Sequence, residues 1–235
     1  MSDSSGSPPP LDPNRGVFLG DLAHDLSTPL TAIHGATELL LNGAYGPLEG
    51  EQRALMLEVL ASARELRAFV QDVADLGALD TGRLVFASAP VDVAALVGEL
   101  GSSLGETAAR RAVTFELDTY VDGPVESDGR RLRQIFSALF GYAVKASRRG
   151  SQVTATVAHA SGRLRAEVRS TGITTGDPAA LFADRRGATP GVPKPYRGPG
   201  LGLPLIGRVV AAWGGRVSAE QRDGALVIGI DVPVR

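Results

Sequence analysis

Two runs of apolar residues, stepped alternately by three and four, leave this chain few folds to choose from. In the first, Leu19, Leu26, Ile33 and Leu40 recur every seven residues, and Leu22/Ala23, Leu30 and Ala36/Thr37 form a second row between them. In the second, Met56, Val59, Ala63, Leu66, Val70 and Val73 keep the same rhythm. Seven residues make almost two turns of an α-helix, so each run lines one stripe of a helix packed in a bundle. Asp12 or Asn14 is the candidate cap of the first helix, and Asn42-Gly43 is its stop. Gly43 to Glu49 leaves room only for a short return loop. The pattern therefore predicts an antiparallel hairpin, one helix running to about Asn42 and the other over about Glu51–Leu79. Such a hairpin cannot bury a full seam by itself. A second copy completes a four-helix bundle, so a homodimer is expected; the alternative is that the seam packs on the chain's own C-terminal part.

One stretch of the first helix does not read as packing. In Leu22-Ala23-His24-Asp25-Leu26-Ser27-Thr28-Pro29-Leu30, His24 lies off the apolar stripe. Its neighbours three, four and seven residues on are Ser27, Thr28 and Thr31, which places it on a polar flank. Pro29 cannot donate to the carbonyl of Asp25 and its ring crowds that carbonyl, so a bend is expected one turn after the histidine. An accessible imidazole beside an acid can exchange a proton near neutral pH and can attack a phosphoryl group if a base takes its proton. Asp25 is the adjacent base, and Thr28, one turn on, can orient a water. The plain alternative is a solvated helix histidine beside a tolerated proline.

The string resembles the H-box of the sensor histidine kinases of two-component signalling, His-Glu/Asp-x-x-Thr/Asn-Pro-Leu. It departs from the usual pattern at Ser27, where a basic residue is common. The resemblance implies that His24 is the phospho-accepting histidine, Asp25 the acid or base beside it, and Thr28 the residue used in dephosphorylating the partner.

The second half of the chain carries a different pattern. Val91–Leu100, Asp128–Ser147 and Gly202–Ala212 read as helices. Val113–Leu117, Val153–Ala158 and Leu164–Val168 read as strands. Arg216–Ala219 and Leu226–Val232 form a hairpin about Arg222-Asp223-Gly224. Strands interleaved with helices predict an α/β sandwich with helices on one face of a mixed sheet. The fold class expected is thus α+β in two domains. Residues 1–14, with Pro8-Pro9-Pro10 and Pro13, read as a disordered tail; 15–80 as the dimerisation and phosphotransfer hairpin; 81–90 as a linker; and 91–235 as the sandwich.

Gly198-Pro199-Gly200-Leu201-Gly202-Leu203 precedes a helix, and glycines there let backbone N–H groups approach a phosphate. A plain turn before a helix has the same letters. In position the string resembles the G2 box of the Bergerat-fold ATPase domain that follows the hairpin in histidine kinases. That resemblance implies an ATP lid from Thr174 to Arg197, with Phe182 where the lid's phenylalanine box begins, and ATP contacts at Gly172, Gly198, Gly200 and Gly202. Lys145 is a cation near the implied phosphate site; as a bare sequence feature it is equally a solvated helix lysine.

Two other boxes depart from the family. The N-box helix has Ala138 and Tyr142 where asparagines are usual, the second of which holds magnesium. A neutral phenol is a poor magnesium ligand beside an amide carbonyl. In the G1 box, Ser170 replaces the aspartate that accepts from adenine, and Thr174 replaces the second glycine. A lost polar contact of this kind costs about 1–3 kcal/mol, and a lost metal ligand removes charge neutralisation at the γ-phosphate. ATP and magnesium are the cofactors the resemblance implies, and these substitutions weigh against ATP-driven autophosphorylation.

Composition narrows the rest. With 43% hydrophobic residues in 235, a packed core needs no staples. There is no cysteine, which removes disulfides and thiolate chemistry and fits a cytoplasmic setting. A net charge of −2 with both signs interspersed gives no footprint for nucleic acid. No apolar run reaches the roughly 18 residues of a membrane span. The three histidines, at 24, 34 and 159, lack metal-ligand spacing, and His34 and His159 read as structural. Trp213 reads as a core or rim aromatic.

The function expected is two-component signalling: phosphoryl carried on His24 and exchanged with an aspartate of a response-regulator receiver domain. The phosphoryl group can come from another kinase or from a receiver. A working autokinase with an unusual nucleotide pocket is a second reading. A non-catalytic pseudokinase, a scaffold for a response regulator or another kinase, is the third.

Overall fold

The computed structural model describes residues 13–183 and 201–235 and divides into two compact units, one reaching Leu84 and one beginning at Val85. The expected N-terminal tail and most of the expected lid, with Gly198 and Gly200, lie outside the described residues.

The first unit is a helical hairpin of α1 (Pro13–Leu41) and α2 (Gly50–Asp80). The helix α1 runs unbroken through Pro29. It begins at Pro13, so Asn14 lies inside the helix rather than capping it. A capping box opens α2: the side chain of Glu49 and that of Gln52 reciprocally bind each other's backbone N–H, Glu49 N donating to Gln52 Oε1 at 3.1 Å. Ala23 and Leu30 of α1 bury against Val70 of α2, with Val73 and Ala74 at the margin. The sequence stripe is thus split. One row, Ala23, Leu30 and Thr37, faces inward, while Leu26 and Ile33 of the other row remain 41% and 48% exposed.

The second unit is a layer of helices on one face of a five-stranded sheet. In chain order it runs β1 (Ala89–Val91), α3 (Val93–Arg110), β2 (Thr114–Tyr120), β3 (Val125–Ser127), α4 (Gly129–Ala146), β4 (Gln152–Ala160), β5 (Arg163–Ser170), a 3₁₀ turn at Ala179–Leu181, α5 (Gly202–Ala212), β6 (Arg216–Arg222) and β7 (Ala225–Pro233). The large sheet has the order β2-β4-β5-β7-β6. Only β2 and β4 are parallel; the remaining pairs are antiparallel, so the sheet is mixed as the sequence pattern predicts. Alternation is clean along β5, where Leu164, Ala166, Val168 and Ser170 bury inward and Arg165 and Glu167 face out. The core lies between that inner face and Leu132, Ile135, Phe136, Leu139 and Phe140 of α4. The turn into β7 has both Asp223 and Gly224 at positive φ, 50° and 74°, as the twist of a two-residue hairpin requires.

The expected linker, 81–90, is partly absorbed into this unit. Ala89–Val91 pairs antiparallel with Val125–Ser127 as a separate two-stranded sheet. Ala87 N donates to Asp128 Oδ2 at 2.9 Å, and the ring of Phe86 stacks on Trp213 with centroids 4.9 Å apart. Trp213 therefore serves as a rim aromatic.

Candidate functional sites

The exposed flank of α1 carries the first site. Nothing in the hairpin covers His24 or Asp25: their side chains are 85% and 82% exposed. His24 Nδ1 and Asp25 Oδ1 are 3.4 Å apart. The carboxylate thus lies on the Nδ1 side of the ring and leaves Nε2 toward solvent. Thr28 is exposed on the same helix, one turn on. Around them the local hydroxyls are turned inward. Ser27 Oγ donates to the Ala23 carbonyl and Thr31 Oγ1 to the Ser27 carbonyl, each at 2.8 Å. His34 is engaged structurally, with Nε2 3.2 Å from Glu38 Oε1 one turn along.

The second site gathers where the end of β5 meets the end of α4. Ser170 closes β5 and is 1% exposed. Its Oγ is 2.6 Å from Ser147 Oγ, Ser147 Oγ is 2.6 Å from the Ala143 carbonyl, and Gly172 N is 3.2 Å from Ser170 Oγ. The two ends fix the direction of this chain. A carbonyl only accepts, so Ser147 gives its proton to Ala143; an amide N–H only donates, so Gly172 gives to Ser170. Ser170 then donates to Ser147, and what remains on Ser170 is acceptor capacity.

Gly172 is where the strand-end turn closes on the loop after α4. A Cβ there would fall 1.9 Å from Ser151 Oγ and 2.9 Å from Arg148 N, so only glycine fits. Gly202 opens α5 at φ +59°, a left-handed conformation that a side chain disfavours. Helices α4 and α5 pack against one another. Phe182 follows the 3₁₀ turn and sits beside α5, where a Cβ on Gly207 would lie 3.3 Å from its ring. Tyr142 and Lys145 lie half-buried in the last turns of α4. Thr174 is exposed, past the turn.

Two buried contacts carry no signal in the sequence. Ser147, the partner of Ser170, is one serine among many. Asp128 reads only as the start of a helix, yet it is 5% exposed and its carboxylate accepts from both Arg131 N (3.0 Å) and Ala87 N (2.9 Å).

The residues present test the implied cofactors differently. The buried acceptor at Ser170, the tight turn at Gly172 and the helix start at Gly202 fit a nucleotide. For magnesium, the α4 position where the resemblance implies an amide ligand carries the phenol of Tyr142, a poorer ligand for that ion.

These two units match two family models. Residues 14–82 match the His Kinase A (phospho-acceptor) domain, and residues 127–235 match the histidine kinase-, DNA gyrase B- and HSP90-like ATPase. The circadian input-output histidine kinase CikA of Synechococcus elongatus is 30% identical over 215 residues, covering 89% of this chain and 28% of that protein. The structure of full-length ShkA in complex with AMPPNP aligns at TM-score 0.66 and 26% identity, covering 93% of this chain and 46% of that one. The complex of histidine kinase ThkA with response regulator protein TrrA shares the fold at TM-score 0.56 and 16% identity, covering 94% and 63%. The chain belongs to the sensor histidine kinase family of two-component signalling. It spans about a quarter to a half of the length of CikA and ShkA. No helix among the described residues is long and apolar enough to cross a membrane.

Proposed function

We propose that this chain handles phosphoryl groups in two-component signalling, taking one on His24 and exchanging it with an aspartate of a response-regulator receiver domain. The His24–Asp25 pair carries the reading: an uncovered imidazole with a carboxylate 3.4 Å from Nδ1. With Asp25 accepting from Nδ1–H, the lone pair is on Nε2. That lone pair attacks the phosphorus of an aspartyl phosphate on the receiver. The P–O bond to the aspartyl carboxylate breaks, the carboxylate leaves with the electron pair, and the Nδ1 proton passes to Asp25. The reverse reaction returns the phosphoryl group. Thr28 positions a water for the competing hydrolysis of the receiver's aspartyl phosphate. The working form is a homodimer through the hairpin, which gives the apolar row at Leu26 and Ile33 a partner.

ATP, when bound, supplies a γ-phosphoryl group. Ser170 would take the base, and Gly172 and Gly202, with Gly198 and Gly200 outside the described residues, would line the rest of the site. Lys145 stands on α4 as the implied cation. The phenol at Tyr142 supports slow autophosphorylation and, as a second reading, a scaffold that binds a response regulator or another kinase without chemistry.

The test is label transfer to wild type and to His24→Ala from two donors, γ-labelled ATP with magnesium and a phosphorylated receiver domain. Strong transfer from the receiver, weak transfer from ATP and none to the variant is the expected result. A wild type that takes no label from either donor is a scaffold, and the phosphotransfer reading falls.

A further inference from the structure

The outward face of the large sheet carries an arginine cluster that the phosphotransfer chemistry does not use. Strand register places Arg165 of β5 and Arg216 of β6 on either side of Asp231 of β7. Arg163 reaches the same carboxylate: its Nε is 2.5 Å from Asp231 Oδ1, while Arg165 Nε is 3.4 Å from Oδ2. Arg163 Nη2 also donates to the Asp231 carbonyl at 3.4 Å. Together with Gly214 these four side chains line an open cleft of about 310 Å³.

The charges do not balance. Three guanidiniums face one carboxylate, and both carboxylate oxygens are already engaged by Nε atoms. Arg216 has no side-chain partner among the described residues, and the outer nitrogens of Arg165 are equally unmatched. Arg165 and Arg216 stand on strands separated by β7 and share the one carboxylate between them, so the cluster keeps an excess of two positive charges. Glu167, two residues along the same face of β5, does not line the cleft. Asp231 has a second effect. By accepting from Arg163 Nε, it fixes the plane of that guanidinium before any ligand arrives, which lowers the ordering cost of binding.

We propose that this cleft is a binding site for a small phosphate-bearing molecule, a phosphomonoester or short polyphosphate. The excess of two positive charges matches a phosphate dianion, and guanidinium forks match its oxygens two at a time. A volume near the lower end of ligand clefts leaves space for the phosphate and a small organic remainder. Gly214, at the lip beside the start of β6, presents no side chain to obstruct entry.

The experiment is calorimetric titration of the full chain with inorganic phosphate and with pyrophosphate, repeated with Arg216→Gln and Arg165→Gln. Backbone amide shifts of Gly214, Gly215 and Arg216 are followed by NMR in parallel. Saturable binding is expected, weakened about tenfold or more in each variant, as loss of one charge-assisted contact predicts. The affinity should also fall as salt rises. Arg216 lies on the edge strand, so the glutamine variant leaves the core untouched. Absence of saturable binding up to millimolar ligand overturns the proposal. So does binding that both variants leave unchanged, because the anion then sits elsewhere in the molecule.

Discussion

At the scale of single residues, the two sites are built in opposite ways. His24 and Asp25 depend on what is missing around them: among the described residues no neighbour covers the ring, and the adjacent carboxylate alone orients it. Ser170 depends on everything around it, since its one proton is committed by a chain anchored at Gly172 and Ala143. Mutations should therefore act differently. Thr28→Ala removes an exposed hydroxyl, so folding is unaffected. It should slow loss of phosphate from a phosphorylated receiver about a hundredfold, the lower end for a positioned catalytic group, while leaving label transfer to His24 in place. Receiver dephosphorylation followed over time checks this; equal rates would remove Thr28 from the mechanism. Ser147→Ala strands the Ser170 proton in a buried place, a loss of about 1–3 kcal/mol. Urea denaturation should show that loss at constant slope.

At the scale of elements, periodicity explains what the sequence made legible. The long helices and the strands β4, β5 and β7 repeat a pattern over many residues, and their existence and order follow from it. The hairpin into β7 was legible from turn chemistry at Asp223-Gly224. The three-residue strands β1 and β3 are too short to show a period. The stretch 81–90 read as a linker, and β1 is nonetheless held by the Ala89–Val91 register against Val125–Ser127. The candidate site was legible where its residues stand together in sequence, at His24–Thr28. It was not where partners meet across the fold, as Ser147 and Ser170 do over 23 residues. Asp128 belongs to this second kind. It caps α4 and holds the segment before β1 through one buried carboxylate. Asp128→Ala unmakes both contacts and should destabilise the second unit by about 2 kcal/mol, above an ordinary cap's contribution of about 1. Hydrogen exchange should show the gain in opening at Ala87 and Arg131 first. Unchanged protection there would mean that the β1–β3 ladder and the Phe86–Trp213 stack suffice.

At the scale of the whole molecule, the decisive feature is how the hairpin divides its apolar residues. Every second member of the seven-residue pattern is spent inside: Ala23, Leu30 and Thr37 on α1, and Ala63 and Val70 on α2. Several of the others are not. Leu22, Leu26 and Ile33 on α1 and Leu66 on α2 are each 39–48% exposed. Scattered apolar residues on a surface mean little, but a row at helical spacing is the seam of a bundle with helices still to come. A second hairpin supplies them with the same residues, by two-fold symmetry. The inner and outer rows can then be separated by mutation. Leu30→Ala opens a hole between α1 and α2 and should lower stability by about 2–5 kcal/mol. Ile33→Glu leaves that core intact, because Ile33 does not enter it, and instead places a charge on the outer row. Its helix content by circular dichroism should match wild type, while sedimentation equilibrium should give the mass of one chain where wild type gives two. A wild type that sediments as a monomer at every concentration, or an Ile33→Glu chain that still pairs, would mean that the outer row has another use. The phosphotransfer proposed for His24 would then have to be explained within a single hairpin.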